Sequence, residues 1–180
     1  GTCLWVRKGG GDSNDGGFGI AMDKDKNVFS TGVFWDTAYF AADTLITYGL
    51  RDIYLVKYDS LGNQQWVKSA GGTSNDFGYG AVTDSLGNCY ITGNFNFSAT
   101  FDTATATTTG FSDSFVAKYH DDGSFVWVKN PGNGFNRSYA IDMDLYGNIY
   151  HTGDFDFSVM FDTVTLNGFP SCAEPYIAKI

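Results

Sequence analysis

The sequence predicts an all-β fold, and three observations carry the prediction. The first is a long internal period: "WVRK" at 5–8, "WVKS" at 66–69 and "WVKN" at 127–130 place Trp5, Trp66 and Trp127 at intervals of 61 residues. Asn27, Asn88 and Asn148 keep the phase, as do Gly32, Gly93 and Gly153, and Phe40, Phe101 and Phe161; the third copy is one residue shorter, lost before Asn136. The second is composition, because the 20 acidic residues comprise 19 Asp and a single Glu, Glu174, beside 23 Gly and 17% aromatics. Asp and Gly serve turns, whereas Glu is a helix former. The third is that apolar segments of strand length, none with a 3.6-residue period, alternate with turn signals.

Each repeat holds four such segments. Strand A is "FGIAM" at 18–22, with copies "YGAVT" at 79–83 and "YAIDM" at 139–143. Strand B is "NVFSTGVF" at 27–34, returning as "NCYITGNF" at 88–95 and "NIYHTGDF" at 148–155. Strand C is "DIYLVKY" at 52–58, with "DSFVAKY" at 113–119 and "EPYIAKI" at 174–180, which aligns Lys57, Lys118 and Lys179. Strand D is the "WVK" class. Between them, "DSLGN" at 59–63 joins C to D and "DSLGN" at 84–88 joins A to B, with "DKDKN" at 23–27 and "DLYGN" at 144–148 as relatives. These read as hairpin turns in which Asp closes the turn and Gly62 or Gly87 takes the left-handed position. "DKDKN" begins like a calcium loop but lacks its glycine and distant Glu, so no metal site is expected.

Four antiparallel strands per unit of about 60 residues is the sequence form of a β-propeller blade, with a β-sandwich as the alternative. Residues 1–180 form a single propeller segment: a D strand at 4–8, repeat one at 15–69, repeat two at 76–130, and repeat three at 136–180, which lacks its own D strand. That is three blades' worth, permuted by one strand. Pairing of Leu4–Lys8 with Tyr176–Ile180 would remove the open edge. Since closed propellers use about 4–8 blades, the chain reads as blades cut from a longer array, as copies that complete a ring together, or as a compact three-bladed monomer.

The pattern "WVKSAGGTSNDFGYGAVTDSLGNCYITGNF" followed by "DSFVAKYHDDGSFVWVK" resembles the SBBP-type β-propeller repeat of secreted bacterial proteins, over essentially the whole chain. The resemblance implies export to the cell surface or the extracellular space and specifies no activity. The third copy departs from it, with "NPGNGFNRSYA" placing Asn136 where Asp15 and Asp76 stand.

A net charge of −9 excludes nucleic acid and anionic membranes as partners. No apolar run reaches 18 residues, so no helix is expected to insert into a membrane. Three cysteines without CxxC spacing indicate neither zinc nor a disulfide framework, although one Cys3–Cys172 bridge is compatible with the sequence. No cofactor or nucleophile motif occurs, and His120 and His151 fall on different blade positions, so the expectation is a protein that is not an enzyme.

Strand order puts the D–A and B–C connections on one face, including the variable stretches 41–51, 102–112 and 162–173. A protein or glycan partner is expected there, and further blades or another copy at the open edges. Candidate ligand contacts are Asp15, Asp76 and Asn136, which start the A strands as a ring or simply cap turns, and Trp35 and Tyr39, which have no repeat equivalents. The leading reading is a non-catalytic adhesion or interaction scaffold; a lectin and part of a polysaccharide-active propeller enzyme are the alternatives. Six tripeptides of Asp, Ser or Thr, and an aliphatic residue resemble a bacterial O-glycosylation sequon, marking Thr37, Thr44, Ser60, Ser85, Thr103 and Thr163.

Overall fold

The computed structural model describes every residue except 133, 170 and 171. After a short β1 (Gly9–Gly10), blade one is β2 (Gly16–Met22), β3 (Val28–Phe40), β4 (Asp43–Tyr58) and β5 (Gln64–Gly71), each antiparallel to the next. Blade two repeats the order with β6 (Phe77–Thr83), β7 (Cys89–Phe101), β8 (Ala104–Tyr119) and β9 (Phe125–Lys129). Blade three has β10 (Phe135–Met143), β11 (Ile149–Asp156) and, after a small hairpin of β12 (Ser158–Phe161) and β13 (Val164–Asn167), β14 (Glu174–Lys179). The fold is all-β: blades one and two are four-stranded and antiparallel and join with β1 in one nine-stranded sheet, blade three pairs the three strands β10, β11 and β14 beside the β12–β13 hairpin, and none of the sheets closes on itself.

The pentapeptides are turns. In each of Asp23, Asp59, Asp84 and Asp144, Oδ1 accepts the backbone N–H groups two and four residues on, while Oδ2 accepts the amide of Asn27, Asn63, Asn88 or Asn148. One carboxylate thus satisfies three donors, which is why Asp and Asn recur four residues apart. Gly62, Gly87, Gly123 and Gly147 take φ of +80 to +84°, and in "DKDKN" Lys26 occupies that place at +67°.

Two expectations need correction. The stretches 41–51 and 102–112 are not loops: β3 and β4 run on to Phe40 and from Asp43, and β7 and β8 to Phe101 and from Ala104, joined by two-residue turns. The Thr-rich "TLITYGL" and "TATATTTG", the first of which alternates between exposed and half-buried positions, suit a pleated ribbon, so the strands extend past a bulge at Asp36 and Phe97. The stretch 162–173 likewise contains β13, with residues 170 and 171 outside the described residues.

Leu4–Lys8 forms no strand and does not reach Tyr176–Ile180; β14 pairs with β11 on one side and has no second partner among the described residues. Instead, Trp5 packs against the blade-one cluster that contains Phe34, Phe40, Tyr54 and Tyr58, its ring 6.1 Å from that of Tyr58, with its Nε1 donating to the Ser60 carbonyl at 3.3 Å. Trp66 of β5 does the same to blade two, donating to the Asp121 carbonyl at 3.0 Å. β1 pairs with the tip of β3 as the end of β5 pairs with the tip of β7, so residues 4–10 occupy the place of a D strand preceding blade one. Packing of Trp5 against blade one takes the place of edge pairing with β14.

Blades stack through apolar faces. Phe29, Ile53 and Leu55 of blade one meet Cys89, Ile91, Phe95, Phe101 and Phe115 of blade two in the main core. Cys3 is an exposed free thiol and Cys89 a buried one, so the Cys3–Cys172 bridge is not formed.

Candidate functional site

The A strands lie side by side at the inner edge of the blades, and the face they present is aromatic. Phe18, Tyr79 and Tyr139, one per blade in the same repeat phase, stand in a row with ring centroids 5.4 and 5.6 Å apart. Glycine makes the approach: a side chain on Gly19 would meet the backbone of Tyr79 and Gly80. Phe77 stacks parallel on Tyr79 at 5.7 Å, and the Arg51 guanidinium lies 4.9 Å over Trp35 and 6.0 Å over Phe77. On the other side, Arg137 lies 4.8 Å over Phe135, which stacks on Phe111, itself 5.1 Å from Phe97. The result is one continuous lane of rings and guanidinium groups across three blades, at the end carrying the D–A and B–C connections.

The lane is accessible and held in place. Phe18 is 52% exposed and Tyr139 43%. Asp154 receives Arg137 Nε at 2.9 Å and Nη2 at 3.2 Å, and the Tyr139 hydroxyl donates to the same carboxylate at 3.0 Å. Burial, and that hydrogen bond, push the Tyr139 phenol up to about 12, so it stays neutral. Each cation–aromatic contact contributes about 0.5–1 kcal/mol at such exposure and restricts the guanidinium to one plane. A surface of flat apolar faces and planar donors can hold sugar rings or an extended peptide.

Asp15, Asp76 and Asn136, read from the sequence as a ring or as turn caps, are held by backbone groups and by neighbouring side chains. Asp15 accepts the N–H of Gly11 at 2.7 Å and of Trp35 at 2.9 Å, and Asp76 accepts those of Gly72 at 2.7 Å and Asn96 at 3.0 Å. Both brace the B-strand bulge. Asn136 accepts the Ser114 N–H at 2.7 Å and donates to Asp113 at 2.8 Å. Asp76 and Asn136 are fully buried. Of the other candidates, Trp35 joins the lane, and Tyr39 stands exposed beyond the bulge on the hairpin arm. Thr44, Ser60, Ser85, Thr103 and Thr163 are exposed on turns and hairpin arms, while Thr37 is half-buried in β3.

Sequence reasoning missed Phe18, Tyr79 and Tyr139, whose phase was visible, because a periodic aromatic next to glycine reads as core. Arg51, Arg137 and Asp154 gave no signal, being unique to their blades.

Among the described residues, no three His, Cys, Asp or Glu side chains gather to hold a metal ion. His120 Nδ1 lies 3.0 Å from Asn88 Oδ1 between two turns. His151 is sealed between blades two and three, its Nδ1 3.2 Å from Ser138 Oγ and 3.3 Å from the Tyr176 hydroxyl. Burial pulls this imidazole down to about 4, so it is a neutral member of a packed polar network.

No family model matches the chain. It is similar to an uncharacterized WD repeat-containing protein of Acanthamoeba polyphaga mimivirus, 27% identical over 155 residues, covering 76% of this chain. The chain spans 11% of that protein's length. With the four-stranded blades, the likeness supports a repeat protein of the β-propeller type.

Proposed function

We propose that this chain is a non-catalytic segment of an exported β-propeller, an interaction or adhesion scaffold at the cell surface or in an extracellular assembly. Its partner, a protein or a glycan, lies along the aromatic lane. The observation that carries the reading is the continuity of Trp35, Arg51, Phe77, Tyr79, Tyr139 and Arg137 across three blades, with Phe18 and Tyr139 left open. The WD repeat-containing relative supports the scaffold part. Membership of the SBBP-type family is the finer part, resting on the repeat pattern, and export follows from it.

Glycan and peptide arrays probed with the 180-residue chain test the proposal. Binding is expected to fall at least tenfold in Tyr79→Ala and in Trp35→Ala, and to persist in Leu145→Ala, an exposed residue on a blade-three turn. Arrays without a ligand, or equal binding by all three variants, would remove it.

Two further parts belong to the reading. The unpaired side of β14 takes either the next blade of a longer chain or the N-terminal region of another copy, supported by Ile177 at 79% exposure beside that edge. Glycans on Thr44, Ser60, Ser85, Thr103 and Thr163 are supported by their exposure. Thr37 fits less well, being half-buried. Protein isolated from its native source should exceed the polypeptide mass; equality would refute the modification.

A further inference from the structure

Each blade has a cavity at one repeat position, beside the D-type segment that precedes it. At blade two it holds about 290 Å³, lined by Lys68 and Ser69 of β5, Thr100 and Asp102 at the tip of the β7–β8 arm, and Tyr119 at the end of β8. Leu45 and Val67 give it an apolar side. One repeat earlier, Arg7, Lys8, Ala41 and Tyr58 stand in phase with Lys68, Ser69, Asp102 and Tyr119, and line a cavity of about 300 Å³. In the third repeat Ile180 takes the tyrosine's place, and the cavity it lines with Lys129, Asn130 and Asp162 holds about 30 Å³. The first two reach the size of small-molecule sites, which begin at about 300 Å³, whereas the third has room for water.

A recessed phenol marks both large cavities. Tyr119 is 2% exposed and Tyr58 8%, yet neither hydroxyl has a hydrogen-bond partner among the described residues. Neither is sealed from solvent, as Oδ1 of Asp52, Oε1 of Gln64 and Oδ1 of Asn94 are, so each opens to the cavity its residue lines. Tyrosines this deep normally bond through the hydroxyl, and here the partner has to come from the cavity. Burial, with the Asp102 charge nearby, raises the Tyr119 phenol, which therefore keeps its proton and donates. Lys68 and Asp102 carry opposite charges into the same cavity, and both are exposed and make no ion pair with any described residue. Ammonium, carboxylate and hydroxyls facing one space beside an apolar side suit a ligand whose every polar group both donates and accepts and whose ring offers C–H faces.

We propose that the cavity at blade two is a monosaccharide site, separate from the aromatic lane, in which the Tyr119 hydroxyl and Lys68 donate to sugar hydroxyls and Asp102 accepts from them. It shares no residue with the lane and goes beyond the lane's role. The blade-one cavity is a weaker copy: it keeps the phenol of Tyr58 and a cation in Arg7, but Ala41 stands where Asp102 would accept. Blade three, with Ile180 in place of the phenol, has no such site. The chain thus carries two unequal sugar sites in three repeats.

Assigned NMR spectra of the 180-residue chain, titrated into the tens of millimolar with D-glucose, D-galactose, D-mannose and N-acetyl-D-glucosamine in turn, test the proposal. At least one sugar is expected to shift Asp102, Tyr119 and Gly123 saturably, and Tyr58 and Gly62 at higher concentration, with Ile180 unmoved. Tyr119→Phe removes only the oxygen and should weaken the blade-two response roughly tenfold, the loss of one hydrogen bond, while the Tyr58 response stays as it was. Asp102→Ala copies Ala41, which holds the same left-handed turn position at φ = 48°, and should bring the site down to the affinity of blade one. Lys68→Gln, on the exposed rim, serves if Tyr119→Phe does not fold. No saturable shift with any of the four sugars, shifts at Ile180 equal to those at Tyr119, or unchanged binding by the variants would overturn the proposal. So would tighter binding of glycine at the same resonances, which would make the occupant an amino-acid zwitterion bridging Lys68 and Asp102. None of these shifts is read at a lane residue, so this proposal and the lane's binding role fail separately.

Discussion

At the scale of single residues, the repeated turns set most of the local chemistry. Lys26 holds φ = 67° where its counterparts are glycines. A left-handed non-glycine residue costs about 1–2 kcal/mol, partly offset by glycine's larger entropy loss, so Lys26→Gly is expected to stabilise the chain by roughly 0.5–1 kcal/mol in urea unfolding. Gly93 is the opposite case. A side chain there would collide with the Phe77 carbonyl across the β6–β7 pair, so Gly93→Ala should cost several kcal/mol, on the order of 3, or abolish folding. The turn aspartates also give the protein an acid limb. The Asn148 amide, with backbone donors, holds Asp144 at about 2 despite its partial desolvation, and Asp59 is lowered in the same way by Asn63. Because these carboxyls are depressed on folding, their stabilisation is present above about pH 4 and lost as pH falls toward 2. This slope is opposite in sign to that of the buried Asp52 and Asp76 carboxyls, which desolvation raises to about 6 and about 7 and whose contribution is lost as pH rises through those values, so stability should peak between the two limbs, which unfolding midpoints across pH 2–8.5 would show.

At the scale of elements, the B–C hairpin arms and the two kinds of edge differ in protection. β4 and β8 have neighbours on both sides, whereas β14 is bonded on one side among the described residues. Amide hydrogen exchange should therefore be at least about tenfold faster in Tyr176–Lys179 than in Tyr54–Lys57 or Phe115–Lys118, since local opening of an edge strand breaks one ladder instead of two. Equal protection would mean that the edge is covered in solution. The arms themselves show where reading by strand pattern was too conservative. Exposure alternates along "TLITYGL" as it does along a strand, yet its letters do not, and Asp36, Phe97 and the turns at 41–42 and 102–103 look like ends of strands until the bulge and the tight turn are seen to be continuous with them.

At the scale of the whole molecule, three blades in one phase leave two unlike ends: a blade-one face covered by Trp5, and a blade-three edge carrying Ile177. Exposed edges with apolar neighbours associate. Light scattering on the 180-residue chain should show mass rising with concentration, and Ile177→Lys should shift it toward the monomer; a wild-type monomer at high concentration would count against edge pairing. Much of this molecule was legible beforehand. The 61-residue period fixed blade number, strand order and the turn at every Asp–Asn pair, because those depend on local backbone chemistry repeated in the chain. What the tertiary structure alone decided is how residues distant in sequence meet: Trp5 with blade one instead of β14, Arg51 with Phe77, and Tyr79 with Tyr139. Each of those is a relation between neighbouring blades, set by burial and shape at their junction, and the sequence period repeats the blades without stating which side chains face one another across them.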